Sequence, residues 1–493
     1  MKIISILSIF LPMVTGILLP LIRNKTRKDK LKLVLSTMIL ECIFAICLVA
    51  IPMDEYTLLK MSDLLKVDIQ VDALSKVFLI IDSFGFLVSG IFAFKYTETE
   101  EKHGSFKEEI FYTFFLLTLG ALVGMAQTHD LIGMYVFFEF ITLLSMPLVL
   151  FEKTKESINA ALKYLFYSIS GAFLALGMIF ILVKYSSTTD FTAGGTLNLN
   201  LANENKTLVL WFVLFGIIGF GAKAGMYPLH GWLPTAHPVA PAPASAVLSG
   251  IITKAGVLAI IRVLYFVVGK DFIEGTFVQT TLLILALITV FMGSMMAYRE
   301  NVLKKRLAFS SVSQISYVLF GIFLFNDTAL AGSIMQIMFH STVKICLFLF
   351  AGSIIFITGK HEVNELEGLG KSMPKTFFAF TLASLSLIGI PPFAGFVSKW
   401  YLAQGSLSSG ISVISYLGPV VLLISALLTA GYLLPISIKG FFPGKDFKAS
   451  EKYDDGSPLL YVPLLLLSGL SLILGIFSGI YMPLIKEIIE LIF

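Results

Sequence analysis

About 14 runs of some 20 predominantly apolar residues follow one another along this chain, and that length is what an α-helix needs to cross the hydrocarbon core of a bilayer. The runs lie at 2–22, 33–53, 75–96, 110–128, 131–151, 158–183, 207–231, 241–268, 277–298, 306–326, 329–358, 375–404, 413–438 and 458–482. In lipid every backbone N–H and C=O must be satisfied within its own segment, so the expected fold is an all-α polytopic membrane protein. Composition agrees. Of 493 residues, 57% are hydrophobic and 14% charged, against about 25% charged in soluble domains. A soluble enzyme is excluded. The longest polar connections, 52–74 and 184–206, are too short to bury a core of their own, so 1–493 is read as a single membrane domain. The first run opens without a basic leader or a small-residue cleavage site, and is expected to stay as a helix.

Lysine and arginine set the orientation. The connection after the first run holds Arg23, Lys25, Arg27, Lys28, Lys30 and Lys32, which marks that side as cytoplasmic. If the helices alternate, the same side gathers Lys95, Lys102, Lys107, Lys153, Lys155, Arg299, Lys304, Lys305, Arg306, Lys360, Lys371, Lys375, Lys439, Lys445, Lys448 and Lys452. The opposite side has only Lys2, Lys60, Lys66, Lys76, Lys184, Lys206, Lys270 and Lys486. One miscounted helix would invert every later loop, so the asymmetry supports 14 spans with both termini outside. The net charge of +4 carries no nucleic-acid signal. Cys42, Cys47 and Cys346 form no CxxC pair and have no histidine at ligand spacing, so no metal, iron–sulfur or disulfide framework is expected. With no glycine loop for a nucleotide either, the chain offers no cofactor, catalytic or redox site of its own.

Six basic residues remain inside the apolar runs: Lys163, Lys223, Lys254, Arg262, Lys344 and Lys399. Glu41, Asp82, Glu139 and His340 join them. An ionisable group near the bilayer centre costs about 2.5–3.5 kcal/mol on insertion scales, so such residues face the bundle interior and mark ion or proton paths. Lys163 and Arg262 lie near predicted helix ends and are read equally as snorkelling to the headgroups. Glu41 and Asp82 fit contact with a partner subunit or a polar neighbour, and no transport role is assigned to them. Glu139, Lys223, Lys254, His340, Lys344 and Lys399 lie deep in their runs and are the candidate ion-translocation residues. His340 and Lys344 are four apart, hence on one helix face, a geometry suited to handing on a proton. Burial and a nearby carboxylate bias a lysine in opposite directions, so a moving Glu139 would switch Lys223 between holding and releasing a proton.

Two runs are interrupted. In the seventh, Lys223 sits between Gly221 and Gly225, five residues before Pro228; in the twelfth, Pro391, Pro392 and Gly395 precede Lys399. Proline removes an intrahelical donor and clashes with the preceding turn, and irregular backbone at membrane depth is tolerated only in protein or beside a wet cavity. An ionisable residue beside such a break is what a solvated ion site requires. Five spans separate the two breaks, an odd number, so equivalent elements would cross in opposite directions, as in an inverted-topology repeat. The expected division is 1–105 (spans 1–3), 106–270 (repeat one, spans 4–8), 271–440 (repeat two, spans 9–13) and 441–493 (span 14).

The strings "DLIGMYVFFEF", "AKAGMYPLHGWLPTAHPVAPAPASAVLSGIITKAG", "KKRLAFSSVSQISY", "FHSTVKICLFLFAG" and "GIPPFAGFVSKW" together resemble the antiporter-like membrane subunits shared by respiratory complex I, Mrp sodium/proton antiporters and group 4 energy-converting membrane-bound hydrogenases. The resemblance covers about residues 70–440. It implies 14 helices with two inverted five-helix repeats, and a path in which Glu139 and Lys223 form the acid–base pair of one half-channel. Lys254 then leads through His340 and Lys344 to Lys399 at the exit of the second. The stretch "WLPTAHPVAPAPASAVLSG" looks most similar to hydrogenase and Mrp subunits, and the closing "KEIIELIF" lacks the long lateral helix of the distal complex I subunit. The resemblance thus implies a proton- or sodium-translocating subunit of a redox-driven complex in a prokaryotic cytoplasmic membrane. Its partners would be other membrane subunits, sibling antiporter-like chains among them, and a peripheral iron–sulfur or hydrogenase arm. An Mrp-type antiporter without a redox partner and a structural membrane scaffold are the alternatives.

Overall fold

The computed structural model describes residues 1–22, 25–62, 65–102, 108–444 and 453–493. Arg23, Lys107, Lys445, Lys448 and Lys452 lie outside these residues, as does the side chain of Lys102. Apolar runs become helices throughout. They are α1 (Lys2–Leu18), α2 (Arg27–Ala50), α3 (Ala73–Lys102), α4 (Glu108–Gln127), α5 (Leu131–Val149), α6 (Lys155–Tyr185), α7 (Leu199–Glu204), α8 (Lys206–Ala224), α9 (Leu233–Val239), α10 (Ala242–Val247) and α11 (Thr253–Ile261). There follow α12 (Lys270–Ile273), α13 (Phe277–Arg299), α14 (Leu303–Phe323), α15 (Asp327–Thr358), α16 (Leu369–Ser372), α17 (Pro374–Ile388), α18 (Ala394–Ser408), α19 (Ser412–Phe441), α20 (Pro458–Ile476) and α21 (Met482–Ile492).

Among the described residues, 13 helices are long and apolar enough to span a bilayer. The run expected at 375–404 is instead two 15-residue helices, α17 and α18, meeting at Gly389–Phe393. The run expected at 207–231 stops at Ala224, where Gly225 takes a left-handed conformation (φ 84°) that ends α8, and the chain resumes as the short α9. Both interruptions fall where glycine and proline put them. The span Ala242–Val268 is also irregular: π-helical segments at Leu248–Ile252 and Arg262–Val268 flank α11. Such bulges leave carbonyls without their usual intrahelical partner.

The connection 52–74, read from sequence as a polar loop, contains an antiparallel hairpin, β1 (Tyr56–Lys60) and β2 (Lys66–Ile69). It is held to the start of α5 by the Asp68 N–H, which donates to Asp130 Oδ2 at 2.8 Å.

The span Ala242–Val268 and α14 are buried along their lengths, and the remaining helices surround them. Small residues permit the close packing: a Cβ on Gly219 of α8 would stand 2.3 Å from the Gly171 carbonyl oxygen of α6, so these helices touch backbone to backbone. Outward faces are apolar, as with Phe166, Phe173 and Phe180 of α6 and Leu423 and Leu427 of α19.

Arg262 is buried in an internal ion pair rather than snorkelling, while Lys163 is half-buried with one internal contact. Lys163 Nζ donates to Thr235 Oγ1 of α9 at 2.9 Å, and Arg262 is 2% exposed in a two-pronged pair with Asp72.

Candidate functional site

At the first break, Lys223 occupies the last turn of α8 and is buried. Its ammonium donates to Thr142 Oγ1 on α5 and sits 4.7 Å from the centre of the Phe138 ring. Glu139, half-buried on α5, lies one turn before Thr142 and acts on Lys223 through its charge. The expected pair is therefore on adjacent helices, joined through a hydroxyl, and no direct ion pair between the two acid and base groups occurs among the described residues. The Trp232 indole N–H donates to the Ala222 carbonyl at 2.8 Å, pinning the broken segment back onto the end of α8.

The π-helical turn Leu248–Ile252 serves Lys254. Ser249, five residues earlier, has a carbonyl that accepts from Lys254 Nζ at 2.6 Å and from Thr253 Oγ1 at 2.9 Å. Its hydroxyl meets Ser311 Oγ of α14 at 2.6 Å, and Ser311 Oγ donates to the Leu307 carbonyl at 2.9 Å. That same carbonyl accepts from Lys344 Nζ at 3.1 Å, which also donates to Ser310 Oγ. Lys254 and Lys344 thus approach α14 from either side, one on the Ser249 backbone and the other on the Leu307 carbonyl that Ser311 shares. His340 lies one turn before Lys344, is 1% exposed, and has both ring nitrogens without a partner.

At the second break, Lys399 projects from α18 back to the end of α17. Its ammonium donates to the Leu387 and Ile388 carbonyls at 2.5 and 2.9 Å and lies 5.1 Å from the Tyr317 ring centre. These are the orphan acceptors of a helix C-terminus, where a cation is favoured. Pro391 and Pro392 form the turn, and Pro228 stands in the corresponding turn after α8.

Sequence reasoning missed three neutral residues that join α14, α15 and α18. Gln336 Nε2 donates to Gln314 Oε1 at 3.0 Å, and Ser398 Oγ donates to Gln336 Oε1 at 2.5 Å. All three are buried. The available signal was spacing: Gln336, His340 and Lys344 recur every four residues on α15, opposite Ser310 and Gln314 on α14. His237, in α9, is a second buried histidine with unpartnered ring nitrogens, its ring 4.5 Å from that of Phe348.

At the β-hairpin end, Asp130 caps α5 through the Gly133 N–H at 2.6 Å, and burial pushes its carboxyl up to about 6. Lys66 bridges Asp68 and Asp190 at 2.6 and 2.7 Å. Burial works against the Lys66 charge, but those two carboxylates hold it above its ordinary value. Glu55, Asp68 and Asp190 come close enough to hold one cation, yet the Lys66 ammonium already sits between the two aspartates. Burial disfavours the charge on Asp72, yet the Arg262 guanidinium outweighs it and holds the carboxyl at about 2.

Comparison with known proteins places this geometry. Residues 128–429 match the family described as NADH:quinone oxidoreductase/Mrp antiporter, transmembrane. The chain is 34% identical over 384 residues to NADH-quinone oxidoreductase subunit N of Desulforudis audaxviator, covering 77% of this chain and 73% of that one. Identity to a Na(+)/H(+) antiporter subunit from Alkalihalophilus pseudofirmus is 31% over 412 residues, 82% and 79% of the two chains. To hydrogenase-4 component B of Escherichia coli it is 29% over 439 residues, 85% of this chain and 64% of that one. In fold, the chain is similar to a chain of the membrane-bound sulfane sulfur reductase, an archaeal respiratory membrane complex (TM-score 0.87, 22% identity, 99% and 97% covered). It is likewise similar to a chain of the Mrp complex of Dietzia (TM-score 0.84, 22% identity, 99% and 97% covered). The chain therefore belongs to the NADH:quinone oxidoreductase/Mrp antiporter family of multi-pass membrane subunits.

Proposed function

We propose that this chain translocates protons or sodium ions within a multisubunit membrane complex driven by redox chemistry in other subunits, of the energy-converting hydrogenase type. The observation that carries the reading is the set of ionisable residues in these helices: half-buried Glu139 beside buried Lys223 and half-buried Lys399 at the two breaks, with buried Lys254, His340 and Lys344 between them on the span Ala242–Val268 and α15. Lysines in this line rest on carbonyls and hydroxyls rather than on carboxylates, so a charge arriving at one displaces a proton or cation from the next without a salt bridge to break. Glu139 would admit charge to Lys223, and Lys399 would release it. Ordered water beside the unpartnered nitrogens of His340 would complete the relay, since buried polar groups without protein partners are where internal water resides.

In this reading 106–270 and 271–440 are the two inverted repeats, each with its own broken helix, and both termini lie outside a prokaryotic cytoplasmic membrane. The positive loops support that sidedness. A second reading, an Mrp-type antiporter without a redox arm, is favoured by the similarity to the Alkalihalophilus antiporter chain along most of both sequences. Mass spectrometry of the intact complex, purified in mild detergent through a tag on this chain, separates them. Iron–sulfur or nickel subunits in the complex support the redox-driven form, and a complex of small membrane subunits alone supports the Mrp form. Lys223→Met tests translocation itself: loss of ion transport with the complex intact supports it, whereas dissociation with unaltered transport per intact complex assigns these charges to scaffolding.

A further inference from the structure

Two acids in the N-terminal helices stand apart from the Glu139–Lys399 line. Glu41 of α2 and Asp82 of α3 are 0% and 3% exposed, within membrane-spanning helices. Both Glu41 carboxylate oxygens are buried without a partner, and so is Ser89 Oγ of α3. Consecutive membrane helices run antiparallel, and Met38 of α2 packs at Gly90 of α3, where a Cβ would meet Met38 Sδ at 2.5 Å. With a rise of 1.5 Å per residue, Ser89 then lies within about 3 Å of the level of Glu41, and Asp82 about 7 Å along the axis from it. Asp82 and Ser89 are seven apart, hence on one face of α3, and the charge of Asp82 acts on Glu41.

One stripe of α2 connects the level of Glu41 with a cavity nearer the helix start. Lys30, Val34, Thr37 and Glu41 follow the spacing of one helical stripe. Lys30 and Val34 line a cavity of about 120 Å³ with Arg27, Glu108, Glu109 and Tyr112, at the end of the bundle that bears the positive loops. Thr37, between cavity and Glu41, donates to Thr15 Oγ1 at 3.2 Å.

We propose that Glu41 and Asp82 form a proton-holding station, served from this vestibule and separate from the Glu139–Lys399 line. An ionised carboxylate buried without a partner is strongly disfavoured, so Glu41 keeps a proton until a neighbour or water takes it, and Asp82, 3% exposed, is the neighbour whose charge bears on that exchange. The titratable groups on packed elements are otherwise engaged or distant: Glu108 pairs with Arg27 at 2.8 Å, Lys76 with Glu487 at 2.7 Å, and Lys344 with Ser310. Tyr112 of α4 and His340 of α15 make no ion pair with either acid among the described residues.

The test is labelling of the purified intact complex with dicyclohexylcarbodiimide, an apolar reagent that modifies protonated carboxyls, read by peptide mass spectrometry across pH with the Glu139 peptide as reference. The station predicts an adduct on Glu41 or Asp82 whose yield falls about tenfold per pH unit above its midpoint and is unchanged by added sodium. In Asp82→Asn the Glu41 adduct should titrate at lower pH, because a neighbouring negative charge is gone. Protection by sodium at constant pH would make this a metal-cation site and overturn the proposal, as would labelling of Glu139 with neither acid modified at any pH. Labelling that persists unchanged in Lys223→Met keeps the station distinct from the transport line.

Discussion

At the residue scale, charge is held here by neutral oxygen. Lys223 rests on Thr142, Lys254 on the Ser249 carbonyl, Lys344 on Ser310 and the Leu307 carbonyl, and Lys399 on two carbonyls of α17. The ionisable residues of the proposed line were legible in the sequence because a charge inside an apolar run is conspicuous. Gln314, Gln336 and Ser398 were not, because neutral polar residues are common in membrane helices and only the three-dimensional pairing reveals what they join. Gln336→Leu should slow transport about tenfold, the equivalent of about 1.4 kcal/mol on the barrier, with assembly unchanged, as measured by ion uptake into liposomes. It removes the acceptor of Ser398 and the donor to Gln314 while leaving every lysine in place.

At the element scale, the breaks create the site. Run lengths and breakers located both interruptions from sequence, and Gly225 and Gly389, both left-handed, end α8 and α17, but the π-helical turns at 248–252 and 262–268 carry no such signal. The hairpin at 56–69 was hidden for the same reason: its strands are five and four residues long and are fixed by the capping aspartate of another helix. Gly395 shows how tight the second break is. A Cβ there would stand 1.9 Å from the Ser386 carbonyl oxygen of α17, so Gly395→Ala must push α18 away from the acceptors of Lys399. We expect a loss of about 1–3 kcal/mol, seen as a lower melting temperature of the purified complex, together with slower transport.

The Asp72–Arg262 pair fastens the start of α3 to the end of the span Ala242–Val268. Asp72→Asn leaves a buried guanidinium without its counter-charge and should cost about 3–5 kcal/mol. The pH dependence has a definite sign. The folded-state value of Asp72 is depressed to about 2 from an ordinary 3.8, so its stabilisation is complete above 3.8 and is lost as pH falls towards 2. Wild-type melting temperature should therefore drop through this window, and the Asp72→Asn protein, already destabilised, should show a shallower drop.

At the scale of the whole molecule, hydrophobic run length alone set the fold class, since nothing but a helical bundle satisfies this much backbone in lipid. Sidedness rests on the positive loops, and cysteine accessibility checks it. A thiol at Lys153 should react with an impermeant reagent from the cytoplasmic side, and one at Lys206 from the outer side. The central claim is that one connected line runs from Glu139 to Lys399 through both halves of the chain. Lys344→Met tests it most directly, because it keeps an unbranched side chain only one atom shorter, removes the ammonium, and leaves the groups at both breaks untouched. Ion movement by the intact complex in liposomes should be abolished in this variant. Transport at the wild-type rate would contradict a continuous line and leave the two halves as independent elements.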